Sequence, residues 1–228
     1  MFICFVGIDG SGKTLQAERL VSALRDRGIL CDYTWCRYSP RLLDPLNKLA
    51  KKLIRRKKGG SEYTAFTSSK KGILRKPIIG PVWLSLSLLD YLMQVRSCFR
   101  GLLGGVKVLI CDRFIYDMLA DLAINFDRRG EGIIKLARHP LVRLFPKPDA
   151  VFFLDVPPGV AWDRKKDPNV MDEQYLVDRA EAYATLSKGL GFIRVDGTRT
   201  VEEIAADVLT RVLCMIGRAG SEVCGCQG

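Results

Sequence analysis

The 228-residue chain has a single histidine, His139, and one imidazole with no second to join it cannot seed a histidine metal site. Placed before Pro140, it reads as a loop or helix-end residue. Cysteine does no better. Cys4, Cys31, Cys36, Cys98, Cys111 and Cys214 are scattered, several inside apolar runs where a thiol acts as a small hydrophobe. Only Cys224 and Cys226 lie close together, and no second pair completes a zinc set. Long apolar runs are also missing. A membrane helix needs about 20 apolar residues, and the most apolar stretch, "IIGPVWLSLSLLDYLM", is interrupted by Pro81 and Asp90. The amino terminus has no basic segment ahead of an apolar one, so the expected location is the cytoplasm.

Acidic residues are nearly absent from one segment. Between Lys48 and Lys76 there are eleven Lys or Arg and one acid, Glu62, so this stretch carries +10 of the chain's +11. The rest is an almost neutral domain with a basic insertion. The insertion fits a solvated loop or lysine-faced helix, electrostatic steering of anionic substrates, a nucleic-acid surface or an anionic membrane contact. Its aromatics, Tyr63 and Phe66, stand apart from the densest charge, at Arg55, Arg56, Lys57 and Lys58. The composition does not choose among these partners.

What the chain does contain is alternation. "MFICFVGI", "ILCDYTW", "VKVLIC" (106–111), "AVFFLDV" (150–156) and "GFIRV" (191–195) are short apolar runs, as strands buried on both faces would be. Helix patterns lie between them, near 82–103, 115–125, 131–138, 172–188 and 200–216. After the first strand, Leu15, Leu20, Val21 and Leu24 are expected to share a helix face, with Gly28 as the stop. The last helix is the cleanest: Thr200 and Glu203 form a capping box ahead of the stripe Ile204, Val208, Leu209, Val212, Leu213 and Ile216. Such alternation predicts an α/β three-layer sandwich, a mainly parallel sheet of about five strands covered on both faces. The expected domain runs from 1 to 218, with the basic insertion at 48–76, a short lid at 163–172 and a flexible tail at 219–228.

"GIDGSGKT", residues 7–14, satisfies G-x-x-x-x-G-K-[ST], with a strand before it and an amphipathic helix after it. In that P-loop context Gly7, Ile8, Asp9, Gly10, Ser11, Gly12, Lys13 and Thr14 surround phosphate oxygens with backbone N–H groups at a helix amino terminus. Lys13 would reach the outer phosphates of a bound triphosphate, and the Thr14 hydroxyl would be a ligand for Mg²⁺. An N-K-x-D guanine reader is absent, the only "NK" continuing as "NKLA", which argues against a GTPase switch. The third strand leads into Asp112-Arg113-Phe114. A carboxylate there can hold the metal or its water, and an arginine beside it presents a planar fork to a second phosphate-bearing group.

These pieces resemble the thymidylate kinase family of nucleoside monophosphate kinases. "GIDGSGKT", "DRF", "FFLDVPPGVAWDR" and "EQYLVDRAEAYATL" stand in the family's order and span residues 1 to about 213, with 40–80 poorly matched. The resemblance implies transfer of the γ-phosphoryl group of Mg-ATP to a nucleoside 5′-monophosphate, usually dTMP. It implies that Asp9 faces the acceptor sugar, that Arg37 and Arg113 hold the acceptor phosphate, and that Asp112 stands on the magnesium side. Arg164, ahead of Lys165 and Lys166, matches the first lid arginine and is the expected cation on the transferred phosphoryl group. Some positions depart from the family pattern. The Gly-Gly turn after Arg37 is missing, Tyr91 replaces the arginine that helps read thymine, and Arg179 is offset by about one position. The departures fall on the acceptor pocket and spare the ATP side. A P-loop kinase with another acceptor, a polynucleotide end included, and a non-catalytic ATP-binding protein are the alternatives. A homodimer is left open.

Overall fold

The computed structural model describes residues 1–41, 44–45, 48, 78–102, 107–165 and 173–224. Five strands, β1 (Phe2–Val6), β2 (Cys31–Trp35), β3 (Val108–Asp112), β4 (Ala150–Asp155) and β5 (Ile193–Asp196), form one sheet in the order β2-β3-β1-β4-β5, and every pairing is parallel. Parallel neighbours need crossovers, and the helices supply them. These are α1 (Lys13–Arg25), α2 (Ile79–Leu102), α3 (Ile115–Asn125), α4 (Glu131–Ala137), α5 (Pro158–Lys165), α6 (Glu173–Leu190) and α7 (Val201–Cys224), with a 3₁₀ turn at Val142–Leu144.

The two-residue period of β1 divides the core. Ile3 and Phe5 pack with Ala17, Leu20, Val21 and Leu24 of α1 and with Ile204, Val208 and Val212 of α7. Cys4 and Val6 face the other way, onto Leu88, Leu92 and Val95 of α2, Met118 and Leu119 of α3, and Tyr183 and Leu186 of α6. Both faces of the sheet are therefore covered, in the expected three layers. The capping box forms: the Thr200 N–H donates to Glu203 Oε2 at 2.9 Å and the Glu203 N–H to Thr200 Oγ1 at 3.3 Å.

Three local expectations change. Leu15 is 42% exposed and does not share the α1 core face, because five residues separate it from Leu20, about 140° around the helix. The helix expected from 82 starts earlier, since α2 begins at Ile79 and takes in Pro81. Pro81 falls in the first turn, where its missing N–H is not needed. Asp90, buried, accepts from the Arg41 N–H at 2.9 Å and from Gln94 Nε2 at 2.9 Å. Thirdly, α7 continues to Cys224, past the boundary expected at 218. Most of the basic insertion and lid positions 166–172 lie outside the described residues. Among the described residues no helix is long and apolar enough to cross a membrane.

Candidate active site

β1 and β3 are adjacent, with Phe5 paired to Asp112. The loops leaving their carboxyl ends are therefore neighbours, at the crevice where open α/β sheets bind ligands. The loop after β1 is the P-loop. Gly10 has φ +87°, and a Cβ there would lie 2.4 Å from the Ala161 carbonyl oxygen, so the loop packs against α5 at a distance only glycine permits. α1 begins at Lys13, with its first amide groups at the mouth of the loop. The buried Lys13 donates from Nζ to the Ile8 carbonyl at 2.9 Å, and Nζ lies 3.6 Å from Asp9 Oδ1. Burial, and then the nearby Arg113 charge, lower the Lys13 ammonium to about 8.

On the β3 side, Thr14 Oγ1 donates to Asp112 Oδ2 at 2.5 Å, and the Tyr33 hydroxyl reaches the same oxygen at 3.3 Å. Asp112 Oδ1 is buried without a hydrogen-bond partner. An orphaned carboxylate oxygen costs free energy unless something meets it, and a hard cation between the Thr14 hydroxyl and Asp112 is what this donor set suits. Among the described residues no group of three His, Cys, Asp or Glu forms a protein-only cage.

Arg113 adopts a left-handed backbone, φ 64°, a conformation costing a non-glycine residue about 1–2 kcal/mol. Its guanidinium turns inward to two carboxylates: Nη2 to Asp9 Oδ1, and Nη1 to Asp117 Oδ2 at 2.9 Å. Asp117 passes the contact on. Its Oδ1 accepts from the Tyr183 hydroxyl and pairs with Arg179 Nη2 at 2.8 Å. Arg179 then pairs with Asp121 and donates to the Tyr175 hydroxyl at 2.8 Å. The result is a chain of alternating charge, Lys13–Asp9–Arg113–Asp117–Arg179–Asp121, drawn from the P-loop, α1, the turn after β3, α3 and α6. Burial alone would raise the carboxyls of Asp9 and Asp117, but the cations around them hold both below the usual range. Burial raises Asp121, at the half-open end of the chain, because Arg179 and Arg37 offset it only partly.

Comparison with known proteins decides the family. The thymidylate kinase of Wolbachia sp. subsp. Brugia malayi is 32% identical over 177 residues, covering 76% of this chain and 73% of that protein. The chain belongs to the thymidylate kinase family. The thymidylate kinase of Fervidobacterium nodosum is 26% identical over 215 residues, 92% of this chain and 96% of that enzyme. That of Plasmodium falciparum is 24% identical over 220 residues, 92% of this chain and 89% of the relative. No family model matches the sequence.

Within this thymidylate kinase relative, the fold gathers Asp9, Lys13, Thr14, Asp112 and Arg113 into one cluster. Arg37 is exposed on the loop after β2, where its charge acts on Asp121. Arg164, at the end of α5, donates from Nη1 to the Gly197 carbonyl at 3.0 Å, in the turn after β5. Tyr91 does not join the cluster. It is 1% exposed, its hydroxyl donates to the Cys36 carbonyl at 2.5 Å, and its ring lies 5.4 Å from that of Tyr38. It therefore anchors the loop carrying Arg37 and presents no open polar surface. The sequence reading did not single out Tyr33, Asp117, Asp121, Tyr175 or Tyr183. Tyr175 and Tyr183 had a local signal, each four residues from Arg179 and so one turn away on α6.

Proposed function

We infer that this protein is a thymidylate kinase, transferring the γ-phosphoryl group of ATP to dTMP. The single observation that carries the reading is that Lys13 and Arg113 meet at the same oxygen, Asp9 Oδ1. One cation belongs to the triphosphate loop and the other to the turn after β3. Two anions held by them lie within one carboxylate of each other, as a donor and an acceptor phosphate must before an in-line transfer. The polynucleotide and non-catalytic readings gain no comparable support.

The roles of this chain's residues follow. Backbone N–H groups of 7–14 and the protonated Lys13 hold the triphosphate, and Arg113 holds the acceptor phosphate with Arg37 at the rim. Asp9, kept ionised by its two cations, remains an acceptor for a sugar hydroxyl. Thr14 and Asp112 are the residues that would hold Mg²⁺, which when bound neutralises charge on the phosphate oxygens. Arg164 would supply the mobile cation of the transition state, leaving Gly197 for the phosphoryl oxygens. Tyr91 contributes to acceptor binding through the Arg37 loop. We also propose a cytoplasmic protein that forms a homodimer. The exposed stripe Val82, Leu86, Leu89 and Met93 on α2 supports the dimer, and a solution mass of one chain would exclude it.

The test is ADP formation from Mg-ATP with dTMP, dUMP, UMP, CMP, dCMP, AMP or GMP. Turnover is expected to require an acceptor and to be fastest with dTMP. Equal hydrolysis without an acceptor, or phosphate incorporated only into oligonucleotides, would overturn the reading.

A further inference from the structure

Arg179 is the one fully buried guanidinium among the described residues, with 0% of its side chain exposed, and it lies beyond Asp117 as seen from Arg113. Its partners are Asp117, Asp121 and the hydroxyls of Tyr175 and Tyr183, the last at 3.0 Å. The chain of pairs holds three cations, Lys13, Arg113 and Arg179, against three carboxylates, Asp9, Asp117 and Asp121. It is neutral as a whole, though Arg113 is gripped by two carboxylates. With Arg179 absent, the same side chains would sum to one negative charge, in a buried setting where solvent screens little. A phosphate dianion would then approach an arginine already over-neutralised.

We propose that Arg179 is a positioning residue for the acceptor phosphate: by engaging Asp117 from behind, it leaves the Arg113 guanidinium free to hold a second anion. Asp121 sets the opposite weight, because it draws Arg179 away from Asp117. The split of contacts on Asp117 supports this division, with Oδ2 facing Arg113 and Oδ1 taken by Arg179 and Tyr183. The proposal rests on the reading of Arg113 as the acceptor-phosphate ligand.

A charge-rescue series in the full chain tests it, measured as KM for dTMP and for ATP. Arg179→Gln is expected to raise the dTMP KM by about tenfold or more, with a several-fold smaller change for ATP. Arg179→Lys keeps the charge and should lie within about fivefold of wild type. Asp121→Asn, at a side chain 37% exposed, should lower the dTMP KM by about twofold to threefold. The double variant Arg179→Gln/Asp121→Asn restores neutrality and should return to within about threefold of wild type. A purely structural Arg179 would leave the double variant no better than the single one, and that result overturns the proposal. If Arg179→Gln does not fold, Asp121→Asn still decides: a raised or unchanged dTMP KM rejects it. Arg113→Met separates the two readings. An unchanged dTMP KM there removes the acceptor role of Arg113 itself, whereas a raised KM with no rescue in the double variant removes only the role of Arg179.

Discussion

On the proposed reading, residues 7–14 hold anions with backbone N–H groups that glycines turn inward, while the region from Asp9 to Asp121 holds charge with six side chains from the P-loop, α1, the turn after β3, α3 and α6. The donor half is contiguous in sequence and shaped by backbone geometry. The acceptor half is assembled across the fold, and each of its cations is already paired before any ligand arrives. A backbone nest tolerates side-chain change but not a Cβ at Gly10, whereas an ion chain tolerates backbone variation and fails on loss of one charge. The two halves share Asp9 and Lys13, so changes there affect both.

The largest effect should come from the shared end. Lys13→Met removes the cation nearest the transferred group, and kcat should fall on the order of a thousandfold. Asp9 retains Arg113 as partner, so the melting temperature should move little by comparison. A kcat within tenfold of wild type would mean that backbone groups alone neutralise the phosphates. It would also erase the distinction between the halves.

That distinction explains what the sequence made legible. Eight contiguous residues specify the P-loop, so Gly7 to Thr14 could be placed by spacing alone, and strand-end Asp112 with Arg113 came almost as directly. The five-strand sheet was also readable, because buried parallel strands are short apolar runs whatever their neighbours. Asp117 and Asp121 were not readable. Each is an ordinary acid on an amphipathic helix until α6 brings Arg179 against it, and sequence contains no trace of a contact that for Asp121 spans 58 positions. The surroundings of Tyr91 were hidden for a related reason. Position within a helix gave its alignment, but only packing shows its hydroxyl already bound to Cys36.

A smaller effect should follow at the lid stem, between the two halves. Arg164→Ala should lower kcat on the order of a hundredfold while ATP affinity stays within a few-fold. Transient kinetics separating nucleotide binding from phosphoryl transfer would check this. If ATP affinity falls instead and the transfer step does not, the bond to the Gly197 carbonyl is the functional contact and Arg164 belongs to the donor-binding half.

The smallest and most specific test is a pH dependence in the acceptor half. Burial alone would raise the Asp117 carboxyl, but Arg179 and Arg113 lower it below its ordinary value of 3.8. A carboxylate with a depressed folded value adds stability that is complete above the unfolded value. That stability disappears as pH falls through the folded one. Asp117→Asn removes the contribution and leaves two buried guanidinium groups short of a partner, at a cost of about 3–5 kcal/mol near pH 7. Unfolding free energies from urea titrations of both proteins should therefore differ by a constant amount between pH 5 and pH 7. Below about pH 4 the gap should narrow by up to about 1.4 kcal/mol per pH unit. Asp9 titrates in both proteins and largely cancels from the difference, and making the comparison in an Asp121→Asn background removes the one carboxyl that Asp117 helps to raise. A gap that widens on acidification would reverse the sign of the shift and place Asp117 as a protonated hydrogen-bond donor. The chain of alternating charge would then be broken at its centre, and the acceptor half would lose the property that separates it from the P-loop.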